Sequence, residues 1–148
     1  ELLPALPDTL TILNAGSNLI EIIYELPNNI EGIDLSSNLL NNITCHHLRN
    51  LQEMTLENNK LREIPKLPFG LKTLCIQQNE ILELRFTDIP FSVKYLDVSD
   101  NYITEVPRML IDRIPTFKYS TNFGNNNYDN FRYTMLKEVL KVNGKIEG

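Results

Sequence analysis

One phrase of apolar and polar positions recurs along this chain. It reads apolar, two residues, apolar, one residue, apolar, two residues, asparagine, one residue, apolar, with Ile, Val, Met, Ala or an aromatic also accepted at the apolar places. The copies are Leu10, Leu13, Ala15, Asn18, Ile20; then Ile30, Ile33, Leu35, Asn38, Leu40; then Leu51, Met54, Leu56, Asn59, Leu61. They continue as Leu71, Leu74, Ile76, Asn79, Ile81; Val93, Leu96, Val98, Asn101, Ile103; and a degenerate Ile114, Phe117, Tyr119, Asn122, with Gly124 at the last apolar place. Starts at 10, 30, 51, 71, 93 and 114 give a period of 20 to 22 residues. Within each copy the fourth and sixth positions are apolar around an outward residue, the period of two that marks a short strand buried on one face. Six such strands at about 4.8 Å spacing build a parallel sheet about 24 Å long. After each strand the chain must turn a corner whose backbone groups face inward. An inward asparagine satisfies them, so Asn18, Asn38, Asn59, Asn79, Asn101 and Asn122 are expected to form a ladder.

Six LxxLxLxxNxL units in register resemble the leucine-rich repeat family, over about residues 6 to 124. The resemblance implies an α/β solenoid, a right-handed superhelix with six short parallel strands on its concave side. The return segments carry Leu-Pro at 6–7, 26–27 and 67–68 and Ile-Pro at 89–90 and 114–115. Proline and the residue before it favour extended backbone, so a mostly extended convex side is expected. The short LPxxLxxLxLxxN units are similar to those of secreted bacterial effectors that act inside host cells, with related forms in large DNA viruses. Two returns depart from that pattern. Residues 43–51 resemble the more helical convex side of intracellular eukaryotic repeats, and 106–114 is a hybrid.

The whole of 1–148 reads as a single domain, and its ends need covering, because a repeat stack exposes apolar edges. At 128–142, Tyr128, Phe131, Met135, Leu136, Val139 and Leu140 fall on one face of a helix, which makes 125–148 a C-terminal cap. Only Glu1 to Pro7 are available ahead of the first strand as a cap, which is too little, so either upstream residues are missing or the N-terminal edge is a candidate for homo-association.

Composition adds chiefly exclusions. Leu, at 23 residues, and Asn, at 18, are the excess that the repeat explains. A net charge of −5 argues against a nucleic-acid partner, which would require a basic surface. No stretch is apolar enough for a membrane-spanning helix, so no membrane role is expected. Residues 1–68 hold nine acids and four bases, and 69–148 hold ten of each, so the acidity lies in the first half. Cys45 and Cys75 fall on opposite faces of the stack and are expected to be free thiols, which with the lack of cysteine-rich caps points to an intracellular, cytoplasmic or host-cytoplasmic location. Cys45, His46 and His47 are adjacent and lack distant co-ligands, so no metal or other cofactor is expected. No nucleophile, phosphate-loop or dinucleotide motif is present, and the chain reads as a non-enzyme.

Function is then expected on the exposed strand positions, which a repeating parallel sheet sets in columns. The third position reads Ile12, Gly32, Glu53, Thr73, Tyr95, Thr116; the fifth reads Asn14, Asp34, Thr55, Cys75, Asp97, Lys118; the seventh reads Gly16, Ser36, Glu57, Gln77, Ser99, Ser120. The resemblance implies recognition of another protein. Glu31, Asp34, Glu53, Glu57, Lys72, Gln77, Tyr95 and Asp97 are the candidate contacts, with Tyr95 an aromatic of the type enriched at interfaces. The alternatives are a substrate-recognition arm of a larger ubiquitin-ligase-type protein and a self-associating structural solenoid.

Overall fold

A computed structural model describes residues 1–119 of the chain. The expected cap at 125–148, its helix and Asn122 lie outside the described residues. The six strands are β1 (Ile12–Asn14), β2 (Gly32–Asp34), β3 (Glu53–Thr55), β4 (Thr73–Cys75), β5 (Tyr95–Asp97) and β6 (Thr116–Lys118). They form one sheet in sequence order, every neighbouring pair parallel. The register follows the repeat without slippage: Ile12, Gly32, Glu53, Thr73, Tyr95 and Thr116 stand side by side, as do Asn14, Asp34, Thr55, Cys75, Asp97 and Lys118.

Each strand is only three residues long because only its central residue points inward. Leu13, Ile33, Met54, Leu74 and Leu96 are buried between more exposed neighbours in β1 to β4, while β5 also buries Asp97. The first and sixth places of the phrase complete the core in the middle turns, where Ile30, Leu35, Leu51, Leu56, Leu71 and Ile76 are fully enclosed. Hydrogen bonding from turn to turn runs past the strands into the corner. Ser17, Ser37, Asn58 and Gln78 donate backbone N–H to the seventh-position carbonyl of the next turn, at 2.8 to 3.1 Å. These same residues, with Asp100, have φ between 53° and 58°, the left-handed conformation that reverses the chain direction. The eighth-position column is Ser, Ser, Asn, Gln and Asp, free of the β-branched types that tolerate this region worst.

The returns are largely extended, with three local departures. Residues 43–51, expected to be the more helical return, form two successive turns instead, closed by Leu48 N–H to the Cys45 carbonyl and Leu51 N–H to the Leu48 carbonyl. The reason lies in spacing: the buried residues Ile43, Cys45, Leu48 and Leu51 follow steps of two, three and three, not the 3.6 of an amphipathic helix. A single 3₁₀ turn at Phe86–Asp88, not anticipated from the sequence, is fixed by the Asp88 carboxylate, which accepts the Arg85 N–H at 2.8 Å. The hybrid return does contain a helix, α1 (Arg108–Arg113), which begins after Pro107 and buries Leu110.

At the N-terminal edge, Glu1 to Leu3 are not a loose lead-in. Leu2 pairs in parallel with Ile22, Leu3 N–H reaches the Ile22 carbonyl at 3.4 Å, and Glu21 N–H reaches the Glu1 carbonyl at 2.9 Å. Residues 1–7 thus occupy, 20 residues earlier, the place that 21–27 occupy in the next turn.

Candidate functional site

The corner asparagines fix how the sheet face is presented. Asn59 is 3% exposed; its Oδ1 accepts the Leu40 N–H of the preceding turn at 3.0 Å, and its Nδ2 donates towards Leu35, Leu56 and Glu57 carbonyls at 2.9 to 3.3 Å. Asn38, Asn79 and Asn101 repeat this arrangement, accepting from Ile20, Leu61 and Ile81 respectively and donating both to their own turn and to the one before. Asn18 departs from the expected ladder. It is exposed and, among the described residues, donates only to the Ala15 and Gly16 carbonyls of its own turn.

The strand columns present the candidate contacts on one face, but not all equally. Glu31 and Glu53 are exposed, and Asp34 and Glu57 are half-buried beside them in the second and third turns. Lys72 is exposed one turn further on. Asp34 is held in place: its Oδ1 accepts the Ser36 N–H at 2.9 Å and the Ser36 hydroxyl at 2.6 Å. Asp97 is held in the same way by Ser99, at 3.0 and 2.6 Å, and is only 8% exposed. Asp97 is therefore tied into the corner more than it is presented to a partner. The Asp-x-Ser spacing at 34–36 and 97–99 is the sequence signal for this local turn, which the column reading alone did not use.

Tyr95 is half-buried, and Lys118 covers its ring with Nζ 5.4 Å from the centroid. Tyr95 chiefly, with lesser help from Asp97 and Cys75, raises the Lys118 ammonium above its ordinary pKa, against an opposing desolvation effect. Gln77 lies between Glu57 and Ser99 along the seventh-position column, and its Oε1 is enclosed with no hydrogen-bond partner. The face therefore grades from acidic at β2 and β3, through Lys72 and Lys94, to a Tyr95–Lys118–Asp97 cluster at β5 and β6.

Both cysteines are free and belong to different surroundings. Cys45 is buried in the return, and burial pushes its thiol up to about 12. Cys75 is half-exposed on β4; burial first and the Asp97 charge second raise its pKa, partly offset by a hydrogen bond with Thr55. Burial disfavours the thiolate in both, so neither is an activated nucleophile at neutral pH. A thiol reagent at pH 8 is expected to label Cys75 slowly in the native protein and Cys45 only after unfolding in denaturant. Equal native labelling of the two would contradict the placement of Cys45. Among the described residues no three His, Cys, Asp or Glu side chains converge to hold a metal ion, and no helix is long and apolar enough to cross a membrane.

A single sheet of six parallel strands, with an asparagine at each of the five described corners, defines a solenoid repeat protein. Several known proteins are similar to this chain. Mouse epiphycan is 28% identical over 132 residues, covering 81% of this chain and 41% of its own length. Mouse podocan is 32% identical over 63% of the chain and 16% of its own length, and human PH domain leucine-rich repeat-containing protein phosphatase 1 is 26% identical over 68% of the chain. Among solved structures, a Shigella effector LRR domain superposes with a TM-score of 0.64 and 31% identity, covering 70% of this chain and 46% of that one. The chain spans less than half the length of these relatives, and no family model matches it. With the repeat, the sheet and these relatives in agreement, the chain is a leucine-rich repeat protein.

Proposed function

We propose that this chain is a protein-recognition module that binds a basic or mixed partner surface through the exposed face of its sheet. The observation that carries this reading is the run of four acidic side chains, Glu31, Asp34, Glu53 and Glu57, on adjacent strands and their flanks, with no cation among the exposed residues of those two turns of the face. A rigid parallel sheet holds these groups in fixed columns, so little ordering entropy is lost on binding. Charge on such a face chiefly steers and orients the partner, and binding should weaken and slow as salt rises. Lys72 and Gln77 would border the acidic patch, and the Tyr95 cluster with Asp97 would form a second contact further along. The likeness to the Shigella effector domain supports a host-directed role in a host-cell cytoplasm, in which the module could also serve as the recognition arm of a longer ligase-type protein. Self-association through the N-terminal edge is a second use of the same stack. It draws support from the exposed apolar side chains of Leu2, Ile12 and Leu19 in the first turn.

The test is affinity capture with the wild type and the Glu53→Lys/Glu57→Lys variant side by side. The reversal is expected to weaken capture of a salt-sensitive partner by about 10-fold or more, as for truncation of interface hot spots. Retention of the same partner at unchanged affinity and salt dependence would remove the acidic face from the binding site.

A further inference from the structure

A second surface lies where each turn enters its strand. Four successive entries, and a fifth, are closed by the same bond, from the N–H of the first apolar residue to a carbonyl three residues earlier: Leu10 to Pro7, Ile30 to Pro27, Leu51 to Leu48, Leu71 to Pro68 and Val93 to Pro90. The residue after each carbonyl stands at the tip of its turn, four places ahead of residues that pair in register, so the tips form a column down the edge of the stack. That column reads Asp8, Asn28, Arg49, Phe69, Phe91. The first two turns show that the tip is satisfied by a small polar residue, the usual turn chemistry. The last two carry phenylalanines that are 95% and 72% exposed. The turn does not require them, and their apolar surface is unfavourable in water.

Phe91 is braced in place. Its ring meets Phe86 edge-on at 5.8 Å, and the Arg113 guanidinium sits 4.3 Å from its centroid while donating to the Ile89 carbonyl at 3.0 Å. The Arg113 Nε and Nη1 groups are enclosed with no hydrogen-bond partner, whereas the exposed cation on this edge is Arg49. Beside Phe69 an open cleft of about 660 Å³ is lined by His46, His47, Arg49, Pro68, Phe69 and Gly70. Arg49 is exposed and makes no ion pair among the described residues. An unpaired cation is thus followed, at steps of about 4.8 Å, by two presented aromatic rings, a span of about 10 Å or three residues of extended peptide.

We infer that this edge is a docking site for an extended peptide segment with an acidic end against Arg49 and an apolar end against Phe69 and Phe91. The pairing of charge with Arg49 sets the direction, and the rings supply the buried apolar area. An anionic membrane or a nucleic acid fits less well. The chain has a net charge of −5, and the tips next in the column are Asp8 and Asn28, so neither polyanion would meet a continuous basic surface. The site is separate from the acidic sheet face, and its success or failure is independent of that reading.

The probe is a dye-labelled hexapeptide of three glutamates followed by two leucines and a phenylalanine, titrated with the whole chain by fluorescence anisotropy. Two variants copy residues that other turns already accommodate at this place: Arg49→Asp, as at Asp8, and Phe69→Asn, as at Asn28. Saturable binding by the wild type is expected, weakened about tenfold by each variant and by replacing the glutamates with lysines. The Glu53→Lys/Glu57→Lys variant should bind the hexapeptide like the wild type. The inference is overturned if the acidic hexapeptide shows no saturable binding, if the lysine peptide binds as well, or if both variants keep wild-type affinity. It is equally overturned if phosphatidylserine vesicles or a thymidine oligonucleotide, and not the peptide, bind in a manner dependent on Arg49 and Phe69.

Discussion

Replacing Asn59 with leucine is expected to destabilise the stack by about 1 to 3 kcal/mol, although the substitution adds an apolar residue to an apolar interior. The asparagine Oδ1 is the acceptor for the Leu40 N–H, and its Nδ2 serves carbonyls in two turns. Leucine would leave the Leu40 N–H buried without a partner, and each such group costs about 1 to 3 kcal/mol. The carbonyls suffer less, because Leu35 still accepts from Asn38 and Leu56 from Asn79. Asn18→Leu provides the internal contrast. That asparagine is exposed and binds only its own turn, so its loss should have a far smaller effect. Urea unfolding followed by circular dichroism tests the pair, and equal midpoints for the two variants would contradict the ladder.

Leu56→Ala is expected to be larger still, about 3 to 5 kcal/mol, the range for removing a fully buried leucine from a core that cannot collapse around the gap. Leu56 has no exposed surface, its N–H is fixed to the Cys75 carbonyl at 2.7 Å, and its carbonyl accepts from Asn59 and Asn79. The backbone around the cavity is therefore tied on both sides and cannot shift inward. The equivalent place in the first turn is Ala15, only half-buried. Leu10→Ala, in that same turn, should cost about 1 kcal/mol, since Leu10 is only half-buried. A denaturation midpoint for Leu56→Ala no lower than that for Leu10→Ala would mean that the central turns do not form the continuous core described.

Much of this was readable before any coordinates, because a repeat states the same physical instruction six times. The inward strand positions, the parallel register and the four complete asparagine rungs all follow from one phrase and its period. What was not legible depends on neighbours outside the phrase. Asn18 matches the consensus yet, among the described residues, bonds only its own turn, so its identity alone could not show that it is exposed. The return at 43–51 resembles a helical one in composition, but its buried residues fall at steps that suit turns. Asp97 and Asp34 occupy the same column and both bond a serine two residues on, yet only Asp97 is closed off, in a part of the face where Tyr95 and Lys118 crowd together. Phe69 and Phe91 lie outside the repeat phrase altogether. Only the alignment of the turn tips shows them to be a pair.

Carbodiimide-driven labelling of exposed carboxylates, read by mass spectrometry, tests most directly the proposal that a partner protein is bound on the acidic sheet face. Once a partner is in hand, Glu31, Glu53 and Glu57 should be shielded from labelling in the complex, while Glu21, Glu63 and Glu105, all exposed in the described structure and away from the strand columns, should label as in the free protein. Unchanged labelling of Glu31, Glu53 and Glu57 in a saturated complex would contradict the claim.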